Sequence, residues 1–230
     1  KALDNYESVI RLNPNYLMAY YFMGNVYVDR WQPGDFERAM EKYRALWKLA
    51  PNYVQSHHQA GLVHLKKAAD DRRLFDQLRA QGKQAEAASA LLQLKKDWND
   101  ALHYFWKYHA IDPVFDANFS RAAWVHMQMA ELAVLEGRPS EAQTHYDAAE
   151  AQYLEYLQAW GCRKPEHNMM GENWEQNHRH YDMPAAVEMF ENLGNARFVR
   201  GHLPDAIRAY RMSLWRDPKN ARAMKNLASV

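Results

Sequence analysis

The strongest candidates for metal chemistry in this 230-residue chain are one cysteine and three histidines in a single stretch. Cys162, His167, His178 and His180 carry the thiolate and imidazole groups that Zn²⁺ prefers. Zinc motifs place their ligand pairs at tighter, recurring spacings, which Cys-x4-His followed by His-x-His does not reproduce. We therefore predict a polar loop and no cofactor, with a metal cluster of these four residues as the alternative.

Carboxylates occur in pairs, but their neighbours indicate solvation rather than catalysis. Asp70-Asp71 is followed at once by Arg72-Arg73, the pattern of a self-paired helix surface. Glu172 and Glu175 could act as acid and base, but nothing in the sequence fixes the distance between them. No nucleophile elbow, zinc-protease helix or phosphate-binding loop motif occurs. We expect this chain not to be an enzyme.

Composition narrows the range of partners. The chain has 29 Lys and Arg against 28 Asp and Glu, so its formal net charge is +1, which gives no electrostatic case for nucleic acid. The single Cys162 excludes an intrachain disulfide, and no apolar run reaches the roughly 18 residues of a membrane helix. We predict no membrane insertion by this chain. Because Lys1 already lies in a helical pattern, we interpret the chain as a fragment, from the cytoplasm or the periplasm.

Small residues and prolines recur at fixed spacings along the chain. Four alanines each precede a proline by 12 residues, and ten residues after each proline stands another small residue. Aromatic residues follow the alanines by four, one helical turn later, and so share their face. These sets are Ala2, Ala39, Ala101 and Ala206; Pro14, Pro51, Pro113 and Pro218; Gly24, Gly61, Ala123 and Ala228; and Tyr6, Tyr43, Phe105 and Tyr210, with Tyr146 following a further alanine, Ala142. The pattern predicts helix pairs that touch closely at the small residues.

Four segments align on the small residue of this pattern: YYFMGNVY, HHQAGLVH, FSRAAWVH and FENLGNAR, in which His64, His126 and Arg197 stand where the first segment has the aromatic Tyr27. They resemble the tetratricopeptide repeat, whose signature is W-x2-L-G-x2-Y, then A-x3-F, then P. The resemblance implies an all-α, right-handed α-solenoid of helix pairs over the single domain 1–230. The predicted boundaries are a partial repeat at 1–14, repeats at about 15–51, 52–113, 114–160 and 184–218, a loop at 161–183 and a terminal helix at 219–230.

One departure from the repeat length is large. Gly61 and Ala101 lie 40 residues apart, and the excess is rich in helix-forming residues with one break at Gln81-Gly82. Apolar residues from Ala87 to Phe105 step by four and three, the period of a coiled-coil seam. We predict an inserted helical hairpin at about 66–96. Trp31 lies in a predicted turn and is interpreted as an exposed anchor.

In the resembled family, the first helix of each repeat lines a concave groove that binds peptides or helices. The positions that the resemblance assigns to this groove are Tyr21, Asn25, Gln55, His58, Gln59, Leu62, Ser120, Arg121 and Trp124. Tyr21 and Ala117 stand where one subfamily has the lysines that bind a terminal carboxylate, which disfavours that mode of binding. The predicted function is a scaffold for a protein or peptide partner.

Two alternatives remain open at the level of sequence. The segment LAPNYVQSHHQAGL is similar to repeat regions that follow the membrane domain of bacterial O-antigen polymerases and ligases. That similarity implies a periplasmic region of a larger enzyme, without the active site. The second alternative is an oligomerisation module that pairs with another copy through the hairpin or through terminal apolar residues such as Leu227.

Overall fold

The computed structural model describes residues 1–112, 117–162 and 183–230, without the side chains of 117, 157–162 and 183–186. The described residues form ten helices and no strand. The helices are α1 (Ala2–Leu12), α2 (Leu17–Arg30), α3 (Asp35–Leu49), α4 (Val54–Ala80), α5 (Gln84–Ile111), α6 (Ala117–Leu135), α7 (Pro139–Cys162), α8 (Met183–Val199), α9 (Leu203–Arg216) and α10 (Ala221–Ala228). The predicted all-α class of paired helices is confirmed.

The chain forms two compact units, Lys1–Pro113 with α1 to α5 and Val114–Val230 with α6 to α10. Neighbouring helices pack in pairs within each unit: α2 on α3, α4 on α5, α6 on α7, and α8 on α9. The boundaries of the individual repeats stay a prediction. None of the described helices is both long enough and apolar enough to cross a membrane.

The turn between α2 and α3 is organised by one buried carboxylate. Asp35 is fully buried at the start of α3. It accepts two hydrogen bonds from the guanidinium of Arg30, at 2.6 and 2.8 Å, and one from the backbone N–H of Gln32 at 2.8 Å. Gly34 supplies the left-handed conformation that precedes the helix, with φ of 83°. The pKa of the Asp35 carboxyl lies well below its usual range, because the Arg30 hydrogen bonds favour the charged form over the opposing effect of burial.

The predicted hairpin is formed by α4 and α5. Gly82, in the left-handed region with φ of 72°, marks the break between them, as predicted. The N–H of Gly82 donates to Arg79 O and the N–H of Lys83 to Leu78 O, which satisfies the carbonyls at the end of α4. The seam on α5 is buried at Ala87, Ala90, Leu94, Trp98, Ala101 and Phe105. It steps by three and four, so one face of a continuous helix serves both the insertion and the repeat.

Trp31 fastens the hairpin to the turn between α2 and α3. Its indole N–H donates to Oδ2 of Asp70 at 2.8 Å. The ammonium of Lys66 lies 4.6 Å from the centre of the indole ring and donates to Val28 O at 2.7 Å. Trp31 is half-buried, so its interpretation as an exposed anchor was wrong. A turn residue can be covered by an insertion far away in sequence, which local spacing does not reveal.

In the second unit, α7 joins the pairs together. The guanidinium of Arg197 on α8 donates to Glu150 on α7 at 2.9 Å, and Arg200 pairs with both Glu150 and Asp147. Beneath these ion pairs lies a shared apolar core. Its buried members are Ala123, Ala149, Tyr153, Tyr156, Met189, Phe190, Leu193, Ala196 and Ala209. Residues from α6 to α9 therefore bury one continuous seam, as stacked repeats require.

Candidate functional site

Three glycines mark the places where two helices of a pair come closest. A Cβ atom added to Gly24 would lie 2.4 Å from the ring of Tyr43. The same atom on Gly61 would lie 2.3 Å from Phe105, and on Gly194 2.4 Å from Tyr210. These separations are far below van der Waals contact, so no side chain fits at these positions. The aromatic ring of the second helix thus packs directly on the backbone of the first.

The residue after each glycine is matched to the ring opposite it. Asn25 accepts a hydrogen bond from the phenol of Tyr43 at 2.7 Å, and Asn195 accepts one from Tyr210 at 2.9 Å.

Where the ring is Phe105, which has no hydroxyl, the residue after Gly61 is the apolar Leu62. The repeat signature has a small residue in the first helix of a pair and an aromatic residue four positions after an alanine in the second. The glycines and the rings that follow Ala39, Ala101 and Ala206 meet both requirements. The described helix pairs have the contacts expected of a tetratricopeptide-like fold.

No known family model matches the sequence, and no curated protein does. Among solved structures, the chain is similar to MamA, at 13% identity and a TM-score of 0.48, with 96% of this chain and 89% of that one covered. TTC0263, a thermophilic TPR protein in Thermus thermophilus, gives 16% and 0.48, with 99% and 87% covered. YrrB, a TPR protein with an unusual peptide-binding site, gives 14% and 0.39, with 96% of both chains covered.

A pocket opens on the second unit. Its volume is about 460 Å³, within the range of functional ligand sites. It is lined by Trp124, Met127, Gln128, Glu131, Tyr153, Glu188, Asn192, Asn195, Phe198, Val199, Tyr210, Arg222, Asn226 and Ser229. Most of these residues come from α6 and α8, the first helices of their pairs, and from α10. Trp124 is the member of this lining that the family resemblance also assigns to the groove.

Asparagine side chains give the pocket its hydrogen-bonding character. Oδ1 of Asn195 accepts from the Tyr210 phenol and also from Nδ2 of Asn226, each at 2.9 Å. Two donors hold the oxygen end of this amide, and no hydrogen bond from its NH₂ end is found among the described residues, so that end can donate to a ligand. Asn192 lines the same pocket three residues earlier on α8. Asparagine amides carry a donor and an acceptor side by side, the complement of a peptide backbone.

Apolar side chains flank the asparagines. Trp124, Phe198 and Val199 are exposed at 43%, 37% and 49% of their surfaces. Tyr153 and Tyr210 are almost completely buried at the floor. Burial raises the pKa of Tyr210 to about 12 and that of Tyr153 as well, so both phenols remain protonated at neutral pH. The pocket combines exposed anchors for an apolar side chain with fixed polar groups.

The charges around the pocket are unequal. Glu131 and Glu188 both line it and are exposed. The lining cation Arg222 is already paired with Glu191, which is 3% exposed, at 3.0 Å. Two carboxylates therefore line the pocket, with Arg121 in electrostatic reach of Glu188, and the lining arginine is engaged with Glu191. The rim favours a basic group on the ligand.

The nine sequence-predicted groove residues divide between the two units. In the second unit, Trp124 lines the pocket, whereas Ser120 and Arg121 are on the same helix but outside the lining. Arg121 is close enough to interact electrostatically with Glu188. Neither of these positions is tested as a binding residue, so they stay predictions.

In the first unit, the predicted positions lie on α2 and α4, which contact one another. Tyr21 packs against the rings of Tyr43 and Tyr53, with centres 6.5 and 5.5 Å apart. The ring of His58 lies 6.2 Å from that of Phe105. Of the other predicted groove residues in this unit, Asn25, Gln59 and Leu62 are half-buried and Gln55 is exposed. Tyr21 and His58 thus contribute to packing as well as to a surface.

Sequence reasoning missed Asn195, Phe198 and Asn226. A signal for the first two was present, since Asn195 and Phe198 stand one and four residues after Gly194, as Asn25 and Val28 do after Gly24. Applying the groove register to the fourth repeat would have found them. The candidate metal cluster falls mostly on residues that the structure does not describe: His167, His178 and His180 lie outside them. Cys162 ends α7, without a described side chain.

Proposed function

We propose that the second unit binds an extended peptide segment of a partner protein in the pocket between Trp124 and Asn226. The observation that carries the proposal is the orientation of the Asn195 amide, whose oxygen is held by Tyr210 and Asn226. A fixed donor beside further asparagine amides suits the repeating N–H and C=O groups of a peptide backbone. Extended backbone is the ligand class that presents such groups without using them internally.

The side chains that line the pocket restrict which peptide segments can bind. Trp124 and Phe198 offer exposed aromatic surface for one apolar side chain. Glu131 and Glu188 offer carboxylates for a Lys or Arg on the same segment. We infer a ligand with a basic residue next to an apolar one, rather than a segment that ends in a clamped carboxylate.

The test is a selection from a random decapeptide library displayed on phage, followed by titration of the selected peptides. Binding is followed by isothermal calorimetry and by tryptophan fluorescence. Asn195→Ala should weaken the selected peptides at least tenfold. The matched control is Asn25→Ala, which removes the equivalent asparagine of the first unit and should leave binding unchanged.

Enriched peptides that bind Asn195→Ala as tightly as the unaltered protein would overturn the proposal. So would a selection that enriches acidic peptides alone. The expectation that this chain is not an enzyme stays a prediction, as do the two alternatives, a part of a larger membrane enzyme and an oligomerisation module.

A further inference from the structure

A histidine and two aspartates meet across α4 and α5, where the hairpin joins the repeat. Nδ1 of His64 lies 2.9 Å from Oδ1 of Asp97 and 3.9 Å from Oδ2 of Asp100. One ligand atom from each residue can be chosen so that all three lie within 4.8 Å of one another. Three donors at these separations can surround a single small cation.

The two inner members of this trio are held in place by their neighbours. His64 and Asp97 are 6% and 1% exposed. The imidazole stacks on Tyr104, with ring centres 5.5 Å apart, and the amide of Gln93 donates to Oδ2 of Asp97 at 2.8 Å. Groups of this kind orient metal ligands in proteins. Asp100, with 39% of its side chain exposed, leaves a route from solvent.

An independent observation comes from Asp71, which lies against Asp97. Asp71 is 5% exposed, and its Oδ1 accepts from the ammonium of Lys67. Its Oδ2 is buried and has no hydrogen-bond donor among the described residues. The carboxyls of Asp71 and Asp97 come within hydrogen-bonding reach of each other. Two buried carboxylates in contact repel one another unless something positive lies between or beside them.

The charges do not balance within the cluster. Asp71, Asp97 and Asp100 carry three negative charges when ionised, and Lys67 is the cation paired with them. No lysine or arginine of the described residues forms an ion pair with Asp97 or Asp100. Before His64 is counted, two negative charges remain on two buried carboxyls and the partly exposed Asp100. An ion of charge +2 matches that excess.

We propose that His64, Asp97 and Asp100 bind one divalent transition-metal ion of the zinc class, with Asp71 as the adjoining carboxylate. An imidazole nitrogen among carboxylate oxygens favours zinc, cobalt or nickel over magnesium or calcium, which prefer oxygen alone. The ion links α4 to α5 and so fixes the hairpin on its repeat. The inference concerns the first unit and stands apart from the peptide pocket of the second.

A proton shared between the Asp71 and Asp97 carboxyls is the alternative way to relieve their repulsion. Burial raises the pKa of Asp71, and although burial opposes it, hydrogen bonds from His64 and Gln93 lower that of Asp97. A protonated Asp71 could then donate to Asp97. A proton offsets one negative charge and leaves Asp100 with only the His64 nitrogen at 3.9 Å. A divalent ion offsets more of the negative charge of the cluster.

The experiment is a zinc titration of the chelator-treated full chain, in competition with a chromophoric chelator. The unaltered protein should bind one equivalent, and its melting temperature should rise on saturation. Asp100→Asn, at a partly exposed position that should still fold, is expected to weaken zinc at least tenfold, and His64→Phe to abolish the site. Asp76→Asn is the matched control, because Asp76 lies on α4 but pairs with Arg72 outside the cluster.

Cys162→Ser tests the other source of zinc affinity in the chain. The proposal requires this variant to bind as the unaltered protein does, and cobalt to give no thiolate charge-transfer band. Three results would overturn it: no bound equivalent in the unaltered protein, unchanged affinity in both Asp100→Asn and His64→Phe, or loss of the site in Cys162→Ser.

Discussion

The phenol of Tyr210 donates to Oδ1 of Asn195 at 2.9 Å, and Tyr43 makes the same bond to Asn25 in the other unit. The bond spans the two helices of a pair and also decides which end of the asparagine amide faces outward. One hydrogen bond therefore stabilises the helix pair and also orients the NH₂ group of the asparagine towards the surface. Because the same bond occurs in both units, the Tyr43 bond is a control that separates the effect on stability from the effect on binding.

Replacing Tyr210 with Phe should release the Asn195 amide and weaken the selected peptides about threefold to tenfold. We expect a loss of about 1 kcal/mol in the free energy of unfolding, the usual value of one hydrogen bond. Tyr43→Phe should cost a similar amount in urea denaturation and leave peptide affinity unchanged. Equal losses of peptide affinity in both variants would show that lower protein stability, and not a change in the pocket, weakens binding.

The glycine contacts predict a large effect from one methyl group. Gly61→Ala places a Cβ 2.3 Å from Phe105, so the free energy of unfolding should fall by about 1–3 kcal/mol through overpacking. Phe105→Leu should cost stability alone but recover part of it when combined with Gly61→Ala. A double-mutant cycle by chemical denaturation measures this coupling, and simple additivity would contradict the direct contact.

The Trp31 contact predicts how firmly the hairpin is held. Trp31→Phe retains a ring but loses the N–H that donates to Asp70, so we expect a loss of about 0.5–1.5 kcal/mol. Native-state hydrogen exchange should show faster opening of α4 beyond residue 66, with little change in α6 to α10. Asp70→Asn retains an acceptor oxygen and should have the smaller effect.

The pair of histidines on α6 and α7 predicts loss of stability in acid. Nδ1 of His126 lies 3.3 Å from Nδ1 of His145, and burial, with the charge of His145, lowers the pKa of His126 to about 4. The unfolded chain binds this proton near pH 6.5. The contribution of the neutral ring is therefore complete above pH 6.5 and is lost as the pH falls towards 4, by at most about 3 kcal/mol.

His126→Phe should remove that part of the pH dependence. The measurement is the free energy of unfolding of both proteins from pH 7.5 to 4. His202→Gln, at an exposed position, serves as the control and should follow the unaltered protein. Parallel curves for His126→Phe and the unaltered protein would exclude this histidine as the source.

The acidic rim predicts that salt weakens peptide binding. The double variant Glu131→Gln and Glu188→Gln should lower the affinity for a selected basic peptide about fivefold and flatten its dependence on ionic strength. Glu37→Gln, an exposed position in the other unit, should change neither quantity. An unchanged salt dependence in the double variant would remove these carboxylates from the site.

Local spacing was enough to predict the helix pairs and the hairpin, because each depends on residues a turn or two apart. The contact of Gly61 with Phe105 was also predictable across the insertion, because each residue occupies its expected position in the repeat pattern. Contacts made by the insertion were not predictable in this way, since Trp31 and Asp70 share no periodic relationship. The burial of Asp71 was missed for the same reason. Its neighbour Arg72 indicated a solvated helix surface, but adjacent residues of a helix point in different directions, so one can be buried while the next is exposed.

At the tip of the hairpin, a Cβ added to Gly82 would meet no atom within 4 Å, and the flanking Gln81 and Lys83 are exposed. Two stiff arms of about 20 residues hold this tip roughly 30 Å from the contact between Gly61 and Phe105. A fluorescent protein or an affinity tag spliced in at Gly82 would thus be carried on a built-in stalk, away from the packed core of its own repeat.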